Sequence, residues 1–225
     1  IVLSVVFGSM LGRNSSDLAF AGVPFPIYVL TGRLLYSFFS SATNSAMRSI
    51  RSNGAMIKKV YVPKYIYPFS GILANFIIFL ISLIVLVGVM VFFVANGSYH
   101  APMNGYMVLS IVPLVNLFIL AMGVGMILAT LCVFFRDIEY LWSVMLMMIM
   151  YCSAIFYFVD NMSKSTQLIV KANPLFGIIN NFRRALFGQP LDMTLLTYTS
   201  VISVAALLVG MFVFYKKQDA FILNI

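Results

Sequence analysis

Apolar residues run in long unbroken stretches along this chain, and polar residues gather in the gaps between them. A continuous apolar run of about 20 residues predicts a membrane-spanning helix, since barrel strands would alternate and be about half as long. Five such segments stand out. Residues 25–47 are mixed in character, 65–94 and 106–135 are long and clean, and 140–159 and 195–215 are compact. At ~1.5 Å of rise per residue, the two long segments exceed a ~30 Å hydrocarbon core, so they tilt, kink or project. Pro68 and Pro113 fall near their beginnings, where a missing N–H costs least. The chain opens with IVLSVVFGSMLG, an apolar run too short to cross a bilayer. It reads as the end of a first helix whose start precedes the given residues. The expectation is an all-α integral membrane protein with six transmembrane helices, the first truncated, forming one transmembrane domain over residues 1–225.

The gaps set the orientation. Arg48, Arg51, Lys58, Lys59 and Lys64 lie between the second and third spans without a single acid, and Lys216 and Lys217 follow the last. Basic loops favour the cytoplasmic side. That side then also receives Arg136, while Arg13, Lys164, Lys171, Arg183 and Arg184 lie outside and Arg33 falls within a span. Both termini are cytoplasmic in this arrangement. The long gap 160–194 holds PLFGIINNFRRALFG, bounded by Asn173-Pro174 and by Gly188-Gln189-Pro190. It is too short to span, and reads as a re-entrant or interfacial amphipathic segment at the outer face. No internal repeat supports an inverted-repeat carrier.

Composition sharpens this picture. Hydrophobic residues make up 62% and charged residues 9% of the 225, and the mean hydropathy is +1.03. A water-facing surface needs about a quarter charged residues, so the solvent here is lipid. The net charge of +8 comes from 14 Lys+Arg against 6 Asp+Glu. Those charges form no exposed basic stripe, which argues against nucleic acid as a partner. Cys132 and Cys152 sit deep in apolar runs and have no disulfide or metal spacing. His100 is the single histidine, in an outer loop, and makes no metal site alone. There is no GxxxxGK[ST] motif, no nucleophile–base set and no acid within a span apart from Asp137 and Glu139 at a cytoplasmic edge. Ion-coupled carriers place titratable groups at mid-membrane depth. The chain therefore reads as a non-enzyme whose energy comes from another subunit.

Several residues are candidates for function. In MRSIRSNGAMIKKVYVPKYIYP, Asn53-Gly54 breaks the run, Met56 and Ile57 form an apolar pair, and Pro63 ends regularity. This is either an ordinary positive-inside loop or a short helix that docks on a partner. VFFRDIEYLW sets Arg136 beside Asp137 at the inner membrane edge; these are either a helix end and the next start, or charges at the mouth of a pathway. Ser37, Ser41 and Ser45, beside Ala42 and Ala46, recur every four residues, as do Ala121, Gly125 and Ala129. Small residues at that spacing bring helix backbones together, with a neighbouring helix or a second copy. Arg33 reads as the one embedded basic residue, roughly 12 Å from the outer start of its helix. It either snorkels to the interface or meets an anionic group along a wet path. Tyr28, Tyr36, Tyr151, Phe156 and Tyr157 are candidates for stacking on sugar rings, or else lipid and packing contacts.

The order PFPIYVLTG, SNGAMIKKVYVPKYIYP, VFFRDIEYLW and ANPLFGIINNFRRALFG resembles the permeases of type-2 ABC exporters for polysaccharides, from about Gly22 to the C-terminus. The resemblance implies a bacterial cytoplasmic membrane permease for lipid-linked O-antigen, teichoic acid or capsular chains. It implies a homodimer with a separate ABC ATPase subunit carrying ATP and Mg²⁺, and no cofactor in this chain. Arg51, Asn53, Met56, Ile57, Lys58 and Lys59 would belong to the coupling helix on the ATPase, and Arg136 and Asp137 to the cytoplasmic entrance. Asn173, Pro174 and Arg183 would form an outer gate of re-entrant helices, with Arg33, Tyr36, Tyr151 and Tyr157 along the substrate path. Members of that family begin with an interfacial helix before the first span, which is missing from these residues. A related permease for a drug, small lipid or peptide is the alternative function, and a membrane scaffold or enzyme without transport is a third.

Overall fold

The computed structural model describes residues 23–59, 62–97, 105–159 and 162–221. They are helical nearly throughout, and no strand occurs among them. Helix α1 covers Phe25–Ser52, α2 Gly54–Ile57, α3 Ile66–Ala95, α4 Ile111–Phe134 and α5 Ile138–Cys152. Next come α6 at Lys164–Ala172, α7 at Pro174–Leu186 and α8 at Met193–Lys217. One 3₁₀ segment, Gly105–Ser110, leads into α4 and another, Gln218–Ala220, follows α8. The opening apolar run, Arg13 and His100 lie outside the described residues.

Three stretches are long and apolar enough to cross a membrane: Ile66–Ala95, Tyr106–Phe134 and Met193–Ala220. Helix α1 is as long, at 28 residues, but too polar to join them by composition. This chain is a multi-pass membrane protein. Its centre is α4, which packs along α8 on one side and α1 on the other, with α3 packed along α1 and touching α4 through Phe76 and Phe118. Two glycines set the α4–α8 distance. A Cβ on Gly123 would overlap the backbone of Ala206 and Leu207, and one on Gly210 would overlap the Gly123 carbonyl. Helices this close gain dispersion contacts that lipid tails cannot match. Asn116 Nδ2 donates to Ser200 Oγ at 2.8 Å across the same seam.

The small-residue stripes find partners within the chain. Ala42 and Ala46 of α1, and Ala121 and Ala129 of α4, have no exposed surface. A Cβ on Gly125 would stand 2.9 Å from that of Ala46, and one on Gly71 of α3 2.7 Å from Ser45 Oγ. Packing is the role of these alanines and of Ser45. Ser37 and Ser41 behave differently and remain exposed.

The expected apolar span over 140–159 is helical only in its first part. Helix α5 has 15 residues and ends at Cys152, and the chain then leaves the helical path through residues 153–158. Ala154 has φ 47°, a left-handed conformation that closes the helix. The carbonyls of Ala154, Ile155 and Tyr157 are taken by side chains from other helices instead of by α5. The first apolar segment is also longer than 25–47, because α1 continues through Arg48 and Arg51.

Candidate functional site

Three regions carry polar chemistry: the edge around α2, one face of α1, and the opposite edge around α7, the two edges being named inner and outer for the orientation that the basic loops predict. At the inner edge, α1 ends at Asn53, whose Nδ2 donates to Ser49 O at 2.8 Å, and α2 starts within one residue. The expected apolar pair divides. Ile57 is buried with Ile50, Ala129, Val133, Phe214 and Phe221, whereas Met56 is 54% exposed. Lys58 and Lys59 are exposed beside it. Lys64 Nζ donates to Gln218 O at 2.7 Å and ties this loop to the end of α8.

Arg136 and Asp137 are both exposed, and neither forms an ion pair among the described residues. Asp137 stands at the start of α5, where a carboxylate suits the helix dipole. The acid that organises this edge is Glu139. Arg51 Nη1 reaches its Oε1 at 2.9 Å and Arg48 Nε its Oε2 at 3.2 Å, while Cys132 Sγ lies 3.6 Å from Oε1. Two cations on one carboxylate leave a local surplus of positive charge. Sequence reasoning passed over Glu139, although its two partners sit one helical turn apart on α1.

One face of α1 is polar along most of its length. Arg33, Ser37, Ser41 and Arg48 are exposed, with Ser40 and Asn44 partly so. At 3.6 residues per turn these six positions fall within about 100° of one another. Their shared face was readable from the periodicity of the polar residues, which the search for small residues hid. Arg33 makes one weak contact, Nη1 to Met150 Sδ at 3.8 Å. Tyr36 OH donates to Leu146 O at 2.9 Å and Tyr157 OH to Tyr151 O at 2.6 Å, while the Tyr151 ring is 60% exposed.

The outer edge centres on Arg183. Arg33, the basic residue expected within a span, lies on the exposed face of α1, whereas Arg183 is enclosed by protein at 1% exposure. No carboxylate pairs with it among the described residues. Nη2 donates to Tyr28 O at 2.9 Å and Ile155 O at 3.3 Å, Nη1 to Ala154 O at 3.0 Å, and Nε to Thr31 Oγ1 at 3.3 Å. The guanidinium also lies 3.6 Å over the Tyr28 ring, which adds a cation–π attraction. A planar fork of five donors suits this arrangement as an ammonium does not. Gly32 makes room for it, since a Cβ there would run into the guanidinium. Tyr28 completes the lock: its OH donates to Tyr157 O at 3.0 Å. Tyr28 is thus a packing residue, 3% exposed, and is not open for stacking on a sugar.

Asn173 and Pro174 build the turn that delivers Arg183. Asn173 Oδ1 accepts from Leu175 N at 3.1 Å as the N-cap of α7, its Nδ2 donates to Ser153 Oγ at 3.0 Å, and Pro174 begins the helix. Pro at that position loses no helical bond. Helix α7 is buried on nearly all sides, from Leu175 to Ile179 and again through Ala185. It is therefore a plug inside the bundle. Of the re-entrant and interfacial readings of the 160–194 gap, an enclosed helix fits the first, while α6 is the exposed helix of this gap and buries only Val170.

Comparison with known proteins places this geometry. The profile described as "ABC-2 type transporter" matches residues 1–187. The "O-antigen export system permease protein RfbA" of Klebsiella pneumoniae is 24% identical over 197 residues, covering 88% of this chain and 74% of that protein. The "Polysialic acid transport protein KpsM" of Escherichia coli is 22% identical over 222 residues, covering 98% of this chain and 82% of that one. A Myxococcus xanthus protein of the first name is 23% identical over 200 residues, with coverage of 88% and 75%.

Proposed function

Because the chain belongs to the ABC-2 type transporter family, we propose that it is the permease subunit of an ATP-driven exporter of a lipid-linked polysaccharide in the bacterial cytoplasmic membrane. ATP and Mg²⁺ bind a separate ATPase subunit, and two copies of this chain form the pathway. Six spans with both termini inside complete the topology, α5 and residues 153–158 together making the fifth. The relatives named for O-antigen export and polysialic acid transport support polysaccharide as cargo.

One observation carries the proposal: the polar face of α1, from Arg33 to Arg48. Such a face is costly against hydrocarbon and is stable against water or a partner copy. In the proposed dimer it lines the route, with Tyr36, Tyr151 and Tyr157 behind or beside it and Arg136 and Asp137 at its inner mouth. Glycan hydroxyls would exchange water for the serines and Asn44 at little cost.

Thiol labelling tests this directly. With Cys132 and Cys152 replaced by Ala, Ser37→Cys and Ser41→Cys should react with a membrane-impermeant thiol reagent in the assembled exporter, and the modification should block export. Ile81→Cys and Ile84→Cys, exposed apolar positions of α3, should stay unreactive. Equal reaction at all four positions, or none at the serines, would remove the pathway from α1. Cells lacking the protein should also accumulate polymer on its lipid carrier. Normal surface polymer with loss of small-molecule efflux would select the alternative cargo.

The inner edge makes a separate prediction. Exposed Met56, with Arg51, Asn53, Lys58 and Lys59 around it, forms the ATPase-facing end, while Ile57 anchors α2 from within. Met56→Asp should leave folding intact and abolish recovery of the ATPase in a pull-down. Ile57→Asp should instead lower the amount of folded permease, because an unpaired carboxylate would enter an apolar cluster. Intact association with Met56→Asp would move the ATPase contact elsewhere.

A further inference from the structure

Outside the α1 face, a cavity lies at the outer edge, between α6, α7 and the start of α8. Its volume is about 560 Å³, and its wall includes Leu168, Lys171, Phe176, Arg184, Asp192 and Tyr198. We propose that this cavity binds the headgroup of an anionic phospholipid of the surrounding bilayer, with the phosphate between Lys171 and Arg184.

Three observations point to a lipid. First, Leu168 and Lys171 are three residues apart on α6 and both line the cavity, so one helix face offers an apolar contact and an ammonium in sequence. Leu168 is 70% and Ile169 67% exposed, a surface that in water has no cover but at a bilayer interface meets acyl chains. Second, the cations are available. Lys171 has no carboxylate within ion-pair distance among the described residues. Arg184 is held in place by Nε donating to Pro190 O at 3.0 Å and stands a loose 3.8 Å from Asp192 Oδ2. Asp192 is occupied in turn, because its Oδ1 accepts from Leu195 N at 3.2 Å as the cap of α8. The site thus keeps a net positive charge for a phosphate. Third, the polar wall is fixed before any ligand arrives: Tyr198 OH donates to Ala172 O at 2.8 Å, and Asn181 Oδ1 accepts from Asp192 N at 2.9 Å.

The inference requires only a membrane protein, and would stand if the cargo of the proposed exporter proved different. With the orientation given above, the lipid comes from the outer leaflet. A lipid seated there would touch α6, α7 and α8 together, and α7 is the helix that carries Arg183.

Native mass spectrometry of the purified full chain tests this without the ATPase or any export assay. Phosphatidylglycerol should be retained through delipidation, and phosphatidylcholine should not. Lys171→Gln should lower phosphatidylglycerol occupancy about fivefold, the effect expected of one basic residue at an anionic surface. Leu168→Gln should reduce it as well, while Lys164→Gln, on the same helix but outside the cavity wall, should not. Equal retention of both lipids, or unchanged occupancy in Lys171→Gln, would overturn the proposal. So would protection of the site by inorganic phosphate alone, since the site would then serve a free anion. The three α6 changes are at exposed side chains, and elution as a single folded species confirms that they report on binding.

Discussion

Replacing Arg183 with methionine should lower the unfolding midpoint of the detergent-solubilised protein by about 10 °C. The guanidinium makes four hydrogen bonds to Tyr28, Thr31, Ala154 and Ile155. Without it, the Tyr28 carbonyl keeps the Thr31 hydroxyl, and the Ala154 carbonyl keeps a share of the Tyr28 phenol, whose single hydrogen also serves the Tyr157 carbonyl. The Ile155 carbonyl, which sits on a residue with no exposed surface, keeps no hydrogen bond among the described residues. An orphaned buried acceptor costs ~1–3 kcal/mol, and charge-assisted bonds contribute ~1.5–3 each. Removing a buried charge returns part of its desolvation cost. The net loss is on the order of 3 kcal/mol, and ~2–4 °C per kcal/mol applies to a chain of this size. Arg183→Lys should recover only part of the loss, because one ammonium cannot reach both sides of the fork. A midpoint raised by Arg183→Met would mean that the buried charge costs more than its bonds return. Thermal unfolding followed by size-exclusion fluorescence measures all three proteins.

The second large effect concerns the α4–α8 seam. Gly123→Val should reduce the folded yield severely, since its Cβ would enter the backbone of Ala206 and Leu207. Side-chain overpacking alone costs ~1–3 kcal/mol. Here the obstacle is main chain, which cannot change rotamer, so the helices must separate along their whole contact. Gly88→Ala is the control: nothing lies within 4 Å of a Cβ at that position. It should leave yield and midpoint unchanged. Equal tolerance at the two glycines would show that the α4–α8 distance is not set by Gly123.

These two sites also show what the sequence disclosed. Long apolar runs disclosed the helical class, because hydropathy over about 20 residues depends on no partner. Residues 65–94 and 106–135 fold nearly as that pattern implied, as α3 and the 3₁₀–α4 stretch. The end of α5 was illegible for the opposite reason. Nothing in the local sequence around Cys152 breaks a helix; the break is made by Arg183 and Tyr28, which lie about 30 and 120 residues away along the chain. Both Arg33 and Arg183 sit in apolar sequence, and only tertiary packing decides that Arg183 is enclosed by protein while Arg33 stands on the surface of α1. Met56 and Ile57 looked equivalent as neighbours, yet one turn of helix sends them in different directions. Glu139 was hidden by Arg136-Asp137, whose adjacency in sequence suggested a pairing that α5 does not make.

The cluster around Ile57 has a mechanical consequence. Ile57 sits against Ile50 at the foot of α1, Ala129 and Val133 at the foot of α4, and Phe214 at the foot of α8. Close-packed interiors have low compressibility and pass strain on instead of absorbing it. A push on the four residues of α2 therefore loads three long helices in parallel, like a foot on a shared treadle. At the far end of α1, residues 153–158 are held by a few side chains in place of a helical ladder. Stiff at one end and stitched at the other, the bundle joins the four residues of α2 to the segment that Arg183 holds.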